Sequence, residues 1–134
     1  MIDPTKVTNF KRTPDEMEEF LLFAIVVAGK GAFQQAKKLE AFLAPKESMS
    51  PFAYITHLDR EGKLDEALRS VKMGQYNRIG TAFRGIAHFT PSFGHYPLYR
   101  VPIRLMECIK GIGMKTARFF IMHTRPSQQL ACLD

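Results

Sequence analysis

Two glycines, Gly111 and Gly113, separate two apolar stretches in the last third of the chain. The apolar residues are Leu105, Met106, Cys108 and Ile109 before the glycines, and Ala117, Phe119, Phe120, Ile121 and Met122 after them. Glycine reaches backbone dihedral angles that other residues resist, so the pattern predicts a tight reversal between two helices. The first amides of the second helix have no intrahelical partner and lie at the positive end of its dipole. The sequence therefore predicts a helix-hairpin-helix that binds a nucleic-acid phosphate, with Lys110 and Lys115 beside it.

Charge is distributed unevenly along the sequence. Residues 1–66 contain 9 Lys and Arg and 11 Asp and Glu, a balance of −2. Residues 67–134 contain 10 Lys and Arg but only Glu107 and Asp134 as acids, a balance of +8. A basic half is typical of a surface that meets a polyanion, although ordinary solubility would explain the charge alone. Because the predicted phosphate site lies in the basic half, nucleic acid is the favoured partner.

The remaining composition limits the class of protein. At 134 residues the chain is one domain or part of one. The two cysteines and four histidines show no metal-ligand spacing, so no metal and no cofactor are predicted. The first residues do not resemble a signal peptide, and the longest apolar run, residues 20–28, is too short to cross a bilayer. We therefore expect an intracellular protein without a membrane partner, either cytoplasmic and nucleoid-associated or nuclear.

The protein is predicted to be all-α, because no long segment alternates polar and apolar residues with a period of two. Thr13, Pro14 and Glu16 have the spacing of an N-cap, a first-turn proline and a capping box. Helices are expected at about 14–27, 33–43, 51–60, 64–71, 75–89, 102–109 and 114–124. Gly80 and Gly85 lie inside the fifth of these, and they predict either a weak helix or a close helix crossing.

The segment from Gly111 to Ala117, with Asp134 placed 19 residues after Lys115, resembles the signature of the helix-hairpin-helix DNA glycosylases. Within that family, it is similar to endonuclease III and to 8-oxoguanine DNA glycosylase. The resemblance is strong over residues 105–134 and extends more weakly to about residue 14. Residues 74–78, Gly-x-Tyr-Asn followed by arginine, are also similar to the family's helix two before the hairpin.

The family resemblance implies an all-α helix-hairpin-helix glycosylase core of about seven helices, in two lobes with DNA between them. Residues 1–30 would form a leader and the first helix of the second lobe. Residues 31–134 would form the helical core, with the hairpin at 105–124. Relatives continue beyond the catalytic aspartate, so the resemblance implies that the second lobe is incomplete here and that the sequence is truncated at its C-terminus.

The resemblance also implies base-excision repair of double-stranded DNA that contains a damaged base or an abasic site. Lys115 matches the family's Schiff-base nucleophile, and Asp134 matches its second catalytic residue. From the residues alone, the preferred interpretation of Lys115 is a solvated lysine that contacts phosphate, and Asp134 would be a helix N-cap. The candidate DNA-contacting residues are those of the hairpin and of the loop after the first helix: Lys110, Gly111, Ile112, Gly113, Met114, Thr116, Arg118 and Lys30.

Three further positions have weaker signals. Phe119, four residues after the lysine, matches a position that lines the base pocket in 8-oxoguanine relatives, but a core phenylalanine is at least as compatible with the pattern. Lys30 lies in the loop where relatives carry a wedge residue, and its glycine neighbours are also typical of a simple turn. Relatives bind a monovalent cation through hairpin carbonyls, which makes Gly111 and Gly113 the candidates in this sequence.

Two other functions are compatible with the sequence. One is a non-catalytic helix-hairpin-helix DNA-binding fragment, and the other is a helical protein-interaction domain whose basic face meets an acidic protein. The spacing between Lys115 and Asp134 argues against both, since neither function needs it.

Overall fold

The computed structural model describes residues 2–28, 30–93 and 96–126. Its α-helices are α1 (Pro14–Val27), α2 (Ala32–Leu43), α3 (Pro51–Arg60), α4 (Leu64–Ser70), α5 (Tyr76–Phe89), α6 (Ile103–Glu107) and α7 (Met114–Thr124). Short 3-10 turns lie at Ala44–Lys46, Thr90–Phe93 and Leu98–Arg100. No strand occurs in the described residues, so the predicted all-α class is confirmed there. Each helix end lies within two residues of its predicted position.

Helix α1 lies at the centre of the fold. The predicted capping box forms at its start: the Glu16 amide donates to Thr13 Oγ1 at 3.2 Å, and the Thr13 amide donates to the Glu16 carboxylate at 2.9 Å. Every residue from Phe20 to Val26 is buried. A helix that is apolar around its whole circumference must be covered on several sides. Accordingly, α2, α3, α5 and α7 all pack against α1.

Aromatic side chains connect the helices of the core. The ring of Phe42 on α2 lies 5.7 Å from that of Tyr54 on α3 and 5.6 Å from that of Phe83 on α5, measured between centroids. On the other side of the core, Phe20 of α1 lies 6.1 Å from Phe120 of α7. These large rings bury much of the apolar surface that stabilises the fold.

Two polar side chains fix the carboxyl end of α1, where carbonyl groups lack intrahelical partners. The buried Gln35 amide donates to the Val26 carbonyl at 2.8 Å. The Arg78 guanidinium donates to the carbonyls of Ile25 at 2.8 Å and Ala28 at 3.3 Å. The loop that carries Lys30 is therefore tied to the beginning of α5.

Residues 2–12 form an irregular N-terminal segment, as predicted, and this segment lies against α7. The Asn9 amide and the Arg12 Nη1 group both donate to the His123 carbonyl, at 3.0 and 2.9 Å. The Thr8 hydroxyl lies 2.8 Å from His123 Nδ1. The division of the protein into a first helix of a second lobe and a core over 31–134 stays a prediction.

Candidate nucleic-acid interface

A short turn joins α6 to α7. The Cys108 and Ile109 amides donate to the carbonyls of Leu105 and Met106, at 3.2 and 3.1 Å. These bonds span three residues instead of four, so the backbone tightens after Glu107 and α6 ends two residues before its predicted end. The Ile112 amide then donates to the Ile109 carbonyl at 3.0 Å, and Gly111 adopts a positive φ of 95°.

Helix α5 lies directly under this turn. A Cβ atom on Gly111 would lie 2.8 Å from the backbone of Ala82. A Cβ atom on Gly85 would lie 2.8 Å from both Ile109 Cγ2 and the Lys110 carbonyl oxygen. The close crossing predicted from glycines in this helix is thus confirmed at Gly85. At Gly80 the three atoms nearest to an added Cβ all belong to the Arg84 side chain of the same helix, so these contacts do not indicate a crossing there.

The predicted phosphate site lies at the amino end of α7. Gly113 is the N-cap residue, with extended backbone angles (φ −88°, ψ 179°) and no capping hydrogen bond from a side group. The amides of Met114, Lys115 and Thr116 precede the first helical bond, which the Ala117 amide donates to the Gly113 carbonyl at 3.0 Å. Within residues 2–28, 30–93 and 96–126, no atom lies within 4 Å of a Cβ built on Gly113, so these residues leave space for a ligand at this end.

The side chains of the turn divide into exposed and buried ones. Lys110, Lys115 and Arg118 are exposed, and Met114 exposes 53% of its surface. Ile112 is 3% exposed, so any contact from it to a ligand would use its main-chain atoms. Thr116 is half-buried. The structure therefore brings the predicted hairpin residues together around one helix end, with three cationic side chains facing solvent.

Lys115, the predicted nucleophile, lies in the first turn of α7. Burial is one of the conditions that favour a neutral amine, and the described residues do not bury this side chain. The predicted second catalytic residue, Asp134, lies outside the described residues, as does the apolar stretch that precedes it. The arrangement of Lys115 relative to Asp134 stays a prediction.

Phe119 lies one turn after Lys115. Its surroundings have features of both predictions made for it, a base-pocket residue and a core phenylalanine. Its ring stacks on that of Phe20 with centroids 5.7 Å apart and planes at 18°. Its other aromatic neighbour is His123, whose ring meets Phe119 edge-on at 4.6 Å. Phe119 is half-buried, so it packs against the core and also presents surface to solvent.

His123 is a residue of this region that the sequence patterns did not single out, because its spacing fits no metal site. Its imidazole is half-buried, and this burial lowers the pKa of His123, with a smaller contribution from the nearby Arg12 guanidinium. The sequence does contain another signal. His123 follows Phe119 by four residues and Lys115 by eight, a spacing that places the three side chains along one face of a helix.

Arg125 connects the carboxyl end of α7 to the loop before α6. Its Nη2 group donates to the carbonyls of Leu98 at 3.2 Å and Val101 at 2.8 Å. Burial lowers the pKa of Arg125 to about 10. The sequence predicted only that the helix stops here, because nothing local indicates a buried guanidinium.

The remaining candidates occupy separate places. Lys30 is exposed, and its Nζ lies 3.3 Å from the position of a Cβ on Gly74, at the approach to α5. The Gly113 carbonyl, one of the two cation candidates, accepts the first helical bond of α7, and Gly111 lies on the turn itself. No group of three or more His, Cys, Asp or Glu side chains lies together in residues 2–28, 30–93 and 96–126.

Comparisons of the sequence and fold with protein-family models, curated proteins and solved structures gave no match. Among the helices of the described residues, none combines the length and the apolar character needed to cross a bilayer.

Proposed function

We propose that this protein is a base-excision-repair DNA glycosylase with AP-lyase activity, built on a helix-hairpin-helix core. One observation carries the proposal. At the amino end of α7, the N-cap residue Gly113 is exposed and, among the described residues, no side chain caps the helix. The exposed Lys115 follows in the first turn. A phosphate held by the free amides would place the adjoining deoxyribose within reach of this lysine.

The phosphate-binding half of the proposal is supported by charge and geometry together. Unpaired amides at a helix N-terminus bind anions, and the Lys110 and Arg118 side chains add exposed positive charge beside them. Such contacts give affinity for any duplex without reading its sequence, and they weaken with salt. An enzyme that searches DNA for rare damage needs binding of this kind.

The catalytic half uses Lys115 as a nucleophile. The damaged base is first turned out of the duplex. The neutral amine then attacks C1′ of the deoxyribose, and the N-glycosidic bond breaks so that the base leaves with the bonding electrons and is protonated. Asp134 would stabilise the positive charge that develops on the sugar and accept a proton from the attacking amine. The sugar ring then opens, because the C1′–O4′ bond breaks and O4′ takes a proton, and this leaves an imine between C1′ and the lysine nitrogen. Removal of a proton from C2′ expels the 3′ phosphate by β-elimination, which nicks the strand.

A second function, a non-catalytic helix-hairpin-helix DNA-binding module, is favoured by the surroundings of Lys115. Its side chain is exposed, and it forms no ion pair with the described residues. Such a lysine would contribute charge to phosphate binding without attacking the sugar. Both functions predict binding to duplex DNA, and they differ in whether a covalent intermediate forms.

Borohydride trapping on a duplex with one abasic site separates the two functions, because borohydride reduces a lysine–sugar imine to a stable adduct. The wild type is expected to give an adduct and Lys115→Gln none. Lys110→Gln is the matched control, since it removes one charge from the same turn and should still give an adduct. Salt-dependent duplex binding without an adduct would reject the lyase and support the binding module. Absence of any duplex binding would reject both functions.

A further inference from the structure

Three side chains lie along one face of α7 at four-residue intervals: Lys115, Phe119 and His123. The rise of about 1.5 Å per residue places the Cα atoms of Lys115 and His123 about 12 Å apart. Side chains on a helix lean toward its amino end, so Phe119 and His123 both lean toward Lys115. The face therefore presents, in order, an amine, an aromatic ring and an imidazole.

The aromatic ring on this face is held in place from behind. Phe20, which is completely buried, carries the Arg12 guanidinium 3.8 Å from its ring centroid. The Phe119 ring stacks on Phe20, and His123 lies edge-on to both rings, with centroids 4.6 Å from Phe119 and 6.4 Å from Phe20. The rings form a fixed platform with its partly exposed member, Phe119, nearest to Lys115.

The imidazole on this face is fixed by a segment far away in the sequence. The Thr8 hydroxyl lies 2.8 Å from Nδ1, and Asn9 and Arg12 both donate to the His123 carbonyl. Within the described residues Nε2 forms no hydrogen bond. Among the described residues, the contacts around the ring are the Thr8 hydroxyl, the two phenylalanine rings and the Arg12 cation, and these include no carboxylate. Next to a cation and partly out of water, the imidazole favours its neutral form.

We infer that His123 is a specificity-determining residue, which bonds through its free ring nitrogen to the edge of a neutral nucleobase stacked on Phe119. Thr8 is its positioning residue. This inference rests on the proposed glycosylase function and assigns a substrate class to it. Because a cation lies beside the ring, the site fits an uncharged base with a carbonyl or N–H at its edge. It disfavours an N-alkylated base that carries a positive charge.

The test compares substrates that have a base with one that has none. Single-turnover strand cleavage is measured on duplexes that carry an oxidised purine, an oxidised pyrimidine, a uracil, an N-alkylated purine or an abasic site. His123→Phe keeps an aromatic ring and removes the hydrogen-bonding edge. It should slow release of the preferred neutral base by at least about 10-fold, because a site built to bond a polar edge loses discrimination without its partner. Cleavage at the abasic site should change by less than about 2-fold.

Two more variants and a control make the result specific. His123→Gln retains a hydrogen-bonding edge and should recover part of the lost rate, and Thr8→Val should give an intermediate loss on base substrates only. His57→Phe, a substitution at an exposed histidine of α3, should change neither reaction.

Several outcomes would overturn the inference. Equal losses on base-containing and abasic substrates would show that His123 only supports the structure. An unchanged rate for His123→Phe, release of no neutral base by a wild type that cleaves abasic sites, or a preference for the cationic base would each reject the assigned role. Failure of the wild type to cleave or trap at an abasic site would instead reject the proposed glycosylase function itself, and the inference with it.

Discussion

Gly111 lies directly against Ala82: a Cβ atom at Gly111 would be 2.8 Å from both the nitrogen and the Cα atom of Ala82. The turn between α6 and α7 is therefore positioned by α5 as well as by the two helices that it joins. This matters because α6 has only five residues and could not orient the turn alone. The candidate phosphate site depends on backbone packed against backbone.

Gly111→Ala is expected to destabilise the protein by about 2–6 kcal/mol. About 1–3 kcal/mol comes from holding alanine at positive φ, and about 1–3 kcal/mol from overpacking against Ala82. Gly113→Ala is the matched control two residues away. It has negative φ and open space, and it should cost less than about 1 kcal/mol, the difference between glycine and alanine as N-caps. Urea unfolding measures both, and equal effects would contradict the proposed packing.

Two glycines of α5 give a second comparison. Gly85→Ala would place a methyl group 2.8 Å from the Lys110 carbonyl and should destabilise by about 1–3 kcal/mol. The nearest atoms to the methyl group of Gly80→Ala belong to the movable end of the Arg84 side chain, so this substitution should be neutral or stabilise by up to about 1 kcal/mol through helix propensity. Thermal or urea unfolding of the two variants tests this. A stable Gly85→Ala protein would mean that α5 does not contact the turn closely.

Arg78→Ala should cost about 1–3 kcal/mol, because it leaves the Ile25 and Ala28 carbonyls at the end of α1 without their charged donor. Arg60→Ala removes an arginine at the end of α3 that bonds to no described residue, and it should change the free energy of unfolding by less than about 0.5 kcal/mol. Urea unfolding measures the free energy of unfolding of both variants. If the two variants lose the same stability, the bonds from Arg78 contribute nothing beyond its charge.

The helices were predictable from the sequence, whereas most of the contacts that position the site were not. Caps and breaks such as Thr13, Pro14 and Gly113 act within a few residues, so local patterns place the helix ends. The turn that follows α6 packs against α5, and local patterns do not contain this contact. The same holds for Gln35, Arg78 and Arg125, whose buried partners come together only in the folded protein. For His123, the spacing from Lys115 was visible, but its partner Thr8 lies 115 residues away.

The stability of the wild type should show a contribution from His123 that depends on pH. Burial and Arg12 lower the pKa of His123 in the folded state below its unfolded value of 6.5. Around and below pH 6.5 the unfolded state therefore binds more protons at this residue, and stability falls as the pH falls. Well above pH 6.5 the imidazole is neutral in both states, so His123 then adds no pH dependence to the free energy of unfolding.

His123→Phe removes this titration, so its free energy of unfolding should fall less steeply than that of the wild type between about pH 7 and 5. The carboxyl groups of Glu18 and Glu19, whose pKa values burial raises, titrate in both proteins and cancel in the comparison. His57→Gln, a substitution at an exposed histidine of α3, is measured beside His123→Phe as the control variant. Parallel curves for wild type and His123→Phe would show that the imidazole is not buried as described.

Binding to an undamaged duplex should weaken as the salt concentration rises, and the slope of this dependence reports the number of phosphate contacts. Each contact contributes about 0.9 to the slope of log K against log salt concentration. Lys110→Gln and Arg118→Gln should each reduce the slope by about that amount, because both side chains lie exposed beside the free amides of α7. Lys37→Gln, on α2 in the acidic half of the sequence, is the matched control and should leave the slope unchanged. If all three variants lowered the slope equally, the duplex would be bound by charge spread over the whole surface, and the amino end of α7 would have no special part in holding it.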